Sequence, residues 1–207
     1  METPKATPPS DLRRAILDTA RHLLVEDSYK NLSMRKIARA IGYSATSIYL
    51  HFENKDALFQ TLVEEGMERL YTTLGNAAAQ HASDPAERLE ALCRAYIDFG
   101  LNNPEYYELM FMVSTDHMQR FPAEKYRRAR RNFRRMETAL HEGAEAGQLA
   151  VEDAAAATGA IWATLHGAVS LLLARRVDVR IGADGFVEAT VAQIKQSLVP
   201  VRAGISD

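Results

Sequence analysis

Apolar residues recur along most of this chain three or four positions apart, which is the spacing of one face of an α-helix. The first such segment runs from Ser10 to about Glu26, and the longest runs from Lys55 to about Gln80. No segment alternates apolar and polar residues as a half-buried strand does, and the sequence has no internal repeat. The pattern therefore predicts an all-α chain of nine helices.

Proline and capping residues mark the starts of the later helices. Asp84 precedes Pro85 and Asn103 precedes Pro104, and each pair is typical of a helix N-terminus with Pro in the first turn. Pro122 begins another predicted helix. The predicted bounds of the last five helices are about 85–102, 104–113, 122–143, 152–175 and 184–198.

Residues 33–59 predict two short helices joined by a turn and followed by a longer helix. Ser33 and Ser44 are each placed to cap a helix N-terminus with a side-chain hydroxyl. Between them Gly42 suits the left-handed conformation that ends a helix, and Asn54 is placed to cap the third helix. This arrangement is typical of a helix-turn-helix, whose second helix enters the major groove of DNA. The apolar residues expected in its core are Ile37, Ala38, Ile48, Leu50 and Phe52.

The same stretch resembles the DNA-binding domain of the tetracycline-repressor (TetR) family of bacterial transcription regulators. Members of that family also carry one helix before the pair, and Ser10 to about Glu26 supplies it. The resemblance implies that double-stranded DNA is a partner of this chain. The residues that carry it are Ser33, Ile37, Ala38, Gly42, Ser44 to Ser47, Tyr49, Phe52 and Lys55.

The resemblance also assigns roles to individual residues. Tyr49 and Lys55 match positions that bind DNA phosphates, and Ser33 and Arg35 match positions that contact the DNA backbone. His51 matches an auxiliary backbone contact. The full implied DNA-binding set, in which Ala45, Thr46 and Ser47 read bases, is Ser33, Arg35, Ser44, Ala45, Thr46, Ser47, Tyr49, His51 and Lys55.

A second signature, Trp162 followed by His166 and Gly167, resembles the C-terminal ligand-binding and dimerisation domain of one branch of the same family. The resemblance implies a homodimer formed through the last two helices. Small residues between positions 154 and 168 suit this, because they let another helix approach closely. The alternative is that these small residues pack only within one subunit.

Aromatic and Met side chains in the second part of the chain are candidates for an effector pocket, since such side chains adapt to apolar ligands. Ordinary core packing is the alternative for the same residues. His166 shares a helical face with Trp162, so it either lines a cavity or donates to a backbone carbonyl within the core. The candidate ligand-pocket residues are Met67, Tyr96, Phe99, Tyr107, Met110, Phe111, Trp162 and His166.

Charge is distributed unevenly along the chain, whose net charge is −2. Residues 1–56 hold nine Lys and Arg against seven Asp and Glu, a balance of +2, so the remainder carries −4. A few placed cations rather than bulk charge would then hold DNA. The arginines between Arg127 and Arg135 are interpreted as a solvated or acid-paired helix face, with a contact to DNA backbone or to a neighbouring subunit as the alternative.

Other features narrow the class of protein. The single cysteine, Cys93, permits no intramolecular disulfide, which favours a reducing compartment. The sequence shows no apolar run near the ~18 residues that span a bilayer and no signal-peptide core, so we expect a cytoplasmic protein with no membrane partner. Motifs for phosphate loops, catalytic nucleophiles and metal clusters are missing, which predicts no enzymatic activity, no cofactor and no metal.

Taken with the resemblance, these observations predict a flexible arm over residues 1–9, a helix-turn-helix domain over 10–56 and a ligand-binding and dimerisation domain over 57–207. The implied function is a repressor that binds a pseudo-palindromic operator as a dimer and is released by a small apolar or amphipathic effector. Two alternatives are a DNA-binding protein of this fold that acts without an effector, and a ligand-binding scaffold that has lost DNA binding.

Overall fold

The computed structural model describes residues 9–113 and 123–200, and within these ranges helices are joined by turns and loops and no strand occurs. This confirms the all-α prediction and the number of helices for the described residues. The helices are α1 Pro9–Asn31, α2 Met34–Ala40, α3 Ala45–Tyr49, α4 Lys55–Gln80, α5 Pro85–Asn102, α6 Pro104–Phe111, α7 Ala123–Glu145, α8 Ala154–Leu173 and α9 Ala183–Ser197.

Helix α1 continues to Asn31 and is longer than its predicted end near Glu26. Its last turn is held by contacts distant in sequence, because the Tyr29 side chain is buried and the Tyr29 carbonyl accepts a hydrogen bond from Lys55. The spacing of apolar residues within α1 does not predict a contact with a residue so distant in sequence. The predicted arm, residues 1–9, and the predicted helix start at Pro122 lie outside the described residues, except for Pro9.

The chain forms two compact units, and the predicted domain boundaries at residues 9 and 56 stay predictions. The first unit takes the described residues of Met1–Met67 and Glu105–Arg120, so it includes α6 as well as α1 to α3. The second takes those of Glu68–Pro104 and Phe121–Asp207. Helix α4 contributes its first half to one unit and its second half to the other.

The core of the first unit collects one apolar face from each of its helices. Ile16 and Leu24 of α1 are buried completely or nearly so, and Ile37 and Ile48 anchor the two short helices in the same core. Burial of one side chain of this size contributes about 1.5–3 kcal/mol, and such tertiary packing stabilises a five-residue helix that would not form alone. Other members include Leu17, Ala20, Ala38, Phe52, Leu58, Phe59, Leu62 and Leu109.

The turn between α2 and α3 has the predicted geometry. Ser33 Oγ accepts from the Lys36 backbone N–H at 3.2 Å, and Ser44 Oγ accepts from the Ser47 backbone N–H at 3.1 Å. Gly42 adopts φ 74°, the left-handed conformation that a side chain would disfavour. Both predicted caps and the predicted glycine turn are therefore confirmed.

The second unit is a helical bundle in which α5 packs on α7, α8 and α9. Asp84 and Asp153 each accept two backbone N–H groups and so cap α5 and α8. Asn103 was expected to begin α6, but its side-chain amide donates to the Phe99 carbonyl at 3.0 Å and closes the end of α5 instead. The buried side chains of the bundle include Leu92, Tyr96, Ile97, Met136, Leu140, Leu165, Val169, Val191 and Ile194.

Among the described residues, α8 is the one helix long and apolar enough to cross a membrane by length and composition. This corrects the expectation that no apolar run approaches that length; alanines and glycines make α8 apolar without large side chains. Only 28% of its most apolar 18-residue segment is buried within the chain, although α5, α7 and α9 all pack against α8. Ala155, Gly159 and Ala163 are exposed. One face of α8 is thus left open by its own chain.

Candidate nucleic-acid interface

Of the three residues on helix α3 that the sequence predicts to read bases, one is exposed and two are half-buried. Thr46 is exposed and Ala45 is half-buried, whereas Ile48 on the opposite side is fully buried. Tyr49, at the end of the helix, is 53% exposed. The buried Ile48 fixes the rotation of α3, so its N-terminal residues and Tyr49 face the surface.

The Ser44 and Ser47 hydroxyls are engaged with each other. Their Oγ atoms lie 2.9 Å apart, and Ser44 Oγ also accepts the Ser47 backbone N–H. A hydroxyl already bonded at the helix start contributes mainly to positioning α3. Thr46 is therefore the one predicted base reader whose side chain is exposed, and its base-reading role stays a prediction.

Lys55 has a structural role that the sequence did not indicate. Its ammonium donates to the Tyr29 carbonyl at 2.9 Å and lies 4.1 Å from the centre of the Tyr29 ring. The Tyr29 hydroxyl donates to Asp56, and its ring meets Phe59 edge-to-face at 5.1 Å. These contacts fasten the end of α1 to the start of α4, where Asn54 Oδ1 accepts the Ala57 backbone N–H at 2.8 Å as predicted.

The other predicted backbone contacts lie at the surface of the same unit. Ser33 and Arg35 are exposed at the start of α2, and His51 is half-buried just after α3. Leu50 was expected in the core but is 81% exposed. Because α3 ends at Tyr49, Leu50 stands at the helix end and leaves the face that Ile48 buries. Leu50 is an exposed apolar residue next to Tyr49 that the sequence pattern missed.

Three of the predicted pocket residues meet in the second unit. The Trp162 indole N–H donates to the Tyr96 hydroxyl at 3.0 Å, and the Trp162 ring stacks on the His166 ring with centroids 5.4 Å apart. Phe133 contacts the same indole edge-to-face at 5.4 Å. Burial lowers the pKa of His166, so its neutral form is favoured there.

The remaining predicted pocket residues do not join that cluster. Met67 and Met110 pack against the core of the first unit. Tyr107 is fully buried, and its ring centre lies 5.0 Å from that of Phe111. Phe99 is buried in the second unit. The periodicity of α6 shows which face is apolar, but it does not show which core that face joins. A ligand-binding role for these residues stays a prediction.

The arginine-rich helix α7 is partly acid-paired, as interpreted from the sequence. Arg131 pairs with Glu68, while Arg130 and Arg134 are exposed. The side chains of Arg127 and Arg128 lie outside the described part of the chain.

A short α3 with an exposed, capped N-terminus, preceded by a glycine turn and set on a packed core, defines a helix-turn-helix DNA-binding protein. Residues 16–62 match the family model described as bacterial regulatory proteins, tetR family, and residues 89–194 match the tetracyclin repressor-like C-terminal domain. The chain belongs to the TetR family, and it is a transcription regulator rather than an enzyme.

Known relatives match parts of the chain. An HTH-type transcriptional repressor of Mycobacterium tuberculosis, Rv1474c, is 45% identical over 58 residues, which is 28% of this chain and 31% of that protein. The nucleoid occlusion factor SlmA of Vibrio vulnificus is 27% identical over 135 residues, 64% of this chain and 66% of SlmA. The chain thus matches from 31% to 66% of the length of these relatives.

A solved structure supports the fold over most of the chain. The TetR family transcriptional regulator PfmR from Thermus thermophilus superimposes with a TM-score of 0.72 at 22% identity, covering 89% of this chain and 99% of PfmR. At this identity the likeness establishes a shared fold.

The Lys55 contacts predict a loss of stability when the ammonium is removed. Lys55→Met keeps the apolar stem but deletes a charged hydrogen bond and a cation–π contact, so we expect the free energy of unfolding to fall by about 1–2 kcal/mol. Urea denaturation followed by circular dichroism measures it. Arg35→Met, an exposed cation of the same unit, should change stability by less than about 0.5 kcal/mol. If the two variants unfold at the same urea concentration, the structural role of Lys55 is contradicted.

Proposed function

We propose that this protein is a cytoplasmic transcriptional repressor that binds a pseudo-palindromic operator as a homodimer and is released by a small apolar or amphipathic effector. The observation that carries the proposal is α3, which exposes Thr46 and Tyr49 while Ile48 is buried in the core. Exposed short polar side chains at a helix N-terminus suit a helix placed in the major groove.

Most contacts with DNA would go to the phosphate backbone. In this proposal Thr46 reads a base edge through its hydroxyl and methyl group, and Ala45 offers a methyl contact. Ser44 and Ser47 hold the start of α3. With so few base readers, specificity depends largely on half-site spacing and DNA shape. The proposed backbone contacts are Ser33, Arg35, Tyr49, His51 and Lys55.

Lys55 can serve both roles at once. An ammonium has three N–H donors, and the Tyr29 carbonyl takes one of them. The side chain is half-buried, so part of it faces solvent. A phosphate bound there would meet a cation whose position is already fixed, which reduces the entropy lost on binding.

The open face of α8 supports a homodimer through α8 and α9. Exposed apolar surface on this scale is unfavourable in water, and the small side chains of Ala155, Gly159 and Ala163 would let a second copy approach closely. Two such pairs of helices form a four-helix interface with twofold symmetry. That symmetry would match a pseudo-palindromic operator.

The aromatic cluster of Tyr96, Trp162 and His166 supports the effector proposal. It gathers a hydroxyl, an indole and an imidazole in the helical bundle, and these groups combine apolar contact with a few polar positions. An effector that binds one conformation of the bundle better than another would weaken DNA binding, and DNA would weaken effector binding by the same factor.

A second candidate function is DNA binding without an effector. The partial match to a protein named as a nucleoid occlusion factor favours it. A thermal-shift screen against pools of small apolar molecules separates the two, because a regulator of the first kind gives a hit that also releases DNA.

Substitutions on α3 should separate backbone contacts from base reading. Tyr49→Phe removes only the phenol O–H, so it should weaken binding to every duplex by about 1 kcal/mol. Thr46→Ala should instead reduce the preference for the upstream region of the protein's own gene over a random duplex. Fluorescence anisotropy at physiological salt measures both.

Thr72→Ala, an exposed threonine of α4 in the second unit, is the matched control and should leave affinity unchanged. If the unaltered protein does not prefer its upstream DNA to random DNA, the regulator proposal fails. If Thr46→Ala weakens all duplexes equally, Thr46 is not a base reader.

The proposed dimer predicts that a charge on the open face of α8 separates the subunits. Ala163→Arg places a desolvated cation in the interface, and we expect monomers in sedimentation velocity at concentrations where the unaltered chain is dimeric. Ala79→Arg, at an exposed alanine of α4, should stay dimeric. A dimer that survives Ala163→Arg would place the interface elsewhere.

A further inference from the structure

The second unit contains a cleft of about 360 Å³ lined by arginines from two helices. Arg131, Arg134 and Arg135 come from α7, and Arg88 comes from α5. The aromatic ring of Tyr71 forms part of the wall. We propose that this cleft binds a small molecule that carries a phosphate dianion.

Two of the guanidinium groups are held by contacts with the same ring. The central carbons of Arg131 and Arg135 lie 4.0 Å and 4.3 Å from the centre of the Tyr71 ring. An arginine fixed in this way loses little side-chain entropy when it binds an anion, and its planar fork suits phosphate oxygens. The site is therefore organised before a ligand arrives.

Gly75 leaves room for one of these groups on the surface of α4. A Cβ atom at Gly75 would stand 2.9 Å from Arg135 Nη2 and 3.3 Å from its Cζ. A glycine inside a helix is less favourable than an alanine, and here it permits the close approach of a guanidinium. Arg135 Nε is buried, and it has no hydrogen-bond partner among the described residues.

The charges of the cleft match a doubly charged anion. Arg88 pairs with Glu142 and Arg131 pairs with Glu68, so these two carboxylates offset two of the four guanidinium groups. The balance of these six groups is +2. A phosphate ester is close to −2 above its second pKa of about 6.

The size of the cleft and its aromatic wall favour a small organic phosphate. The Arg88 side chain is only 14% exposed, and that of Arg131 is 36% exposed. The volume exceeds what an inorganic phosphate needs and falls at the lower end of pockets for small organic ligands. The Tyr71 ring supplies apolar surface for the rest of such a ligand.

Isothermal titration calorimetry of the full chain with phenyl phosphate tests the inference. Because the titration contains no DNA, its result does not depend on the proposed repressor function. At pH 8 phenyl phosphate is a dianion, and we expect it to bind at least about tenfold more tightly than the monoanion phenyl sulfate. Arg135→Gln should weaken phenyl phosphate binding by about tenfold or more. Arg130→Gln, an exposed neighbour outside the cleft, should leave it within about twofold.

Gly75→Ala provides a variant that keeps the helix intact, since alanine favours helix more than glycine does. Its Cβ displaces the Arg135 guanidinium, so the protein should be at least as stable while phenyl phosphate binding weakens several-fold. Absence of binding by the unaltered protein would overturn the inference. Equal weakening by Arg130→Gln and Arg135→Gln would also overturn it.

Discussion

The Lys55 ammonium fastens the end of α1 to the start of α4 in the DNA-binding unit. It joins a carbonyl in the last turn of one helix to the first residue of another, and the Tyr29 ring links that joint to Asp56 and Phe59. The two short helices α2 and α3 are too short to be stable alone, so the core formed with α1 and α4 holds them in place. The proposed phosphate-binding lysine is therefore part of the scaffold.

The second unit has a different constraint, because its most apolar helix is covered only in part. Helix α8 buries Leu165 and Val169 in the bundle and leaves a face of small side chains exposed. The aromatic cluster around Trp162 and the arginine cleft around Tyr71 both lie in this bundle, and they differ in chemistry. The proposed ligand of the aromatic cluster is apolar or amphipathic, and the proposed ligand of the arginine cleft is an anion. A regulator with both sites could respond to a ligand that carries both kinds of group, or to two ligands.

Local features were predictable from the sequence, and contacts between distant residues were not. The caps at Ser33 and Ser44 and the turn at Gly42 follow from residue type and spacing, and the structure has them. The length of α1, the exposure of Leu50 and the membership of α6 in the first unit depend on tertiary packing. Similarly, the arginines of α7 could be placed on a face, but the cleft that they form needs Tyr71, Gly75 and Arg88 from other helices.

In the proposed function, a symmetric pair of these helix-turn-helix units reads a specific DNA site. Selection of bound duplexes from a random-sequence pool by the purified full chain, followed by sequencing, tests this proposal. We expect enrichment of an inverted repeat whose two short half-sites are separated by a fixed spacing, with weaker preference at the bases between them. A pool that binds but contains no enriched motif, or a single half-site without its inverted copy, would contradict it.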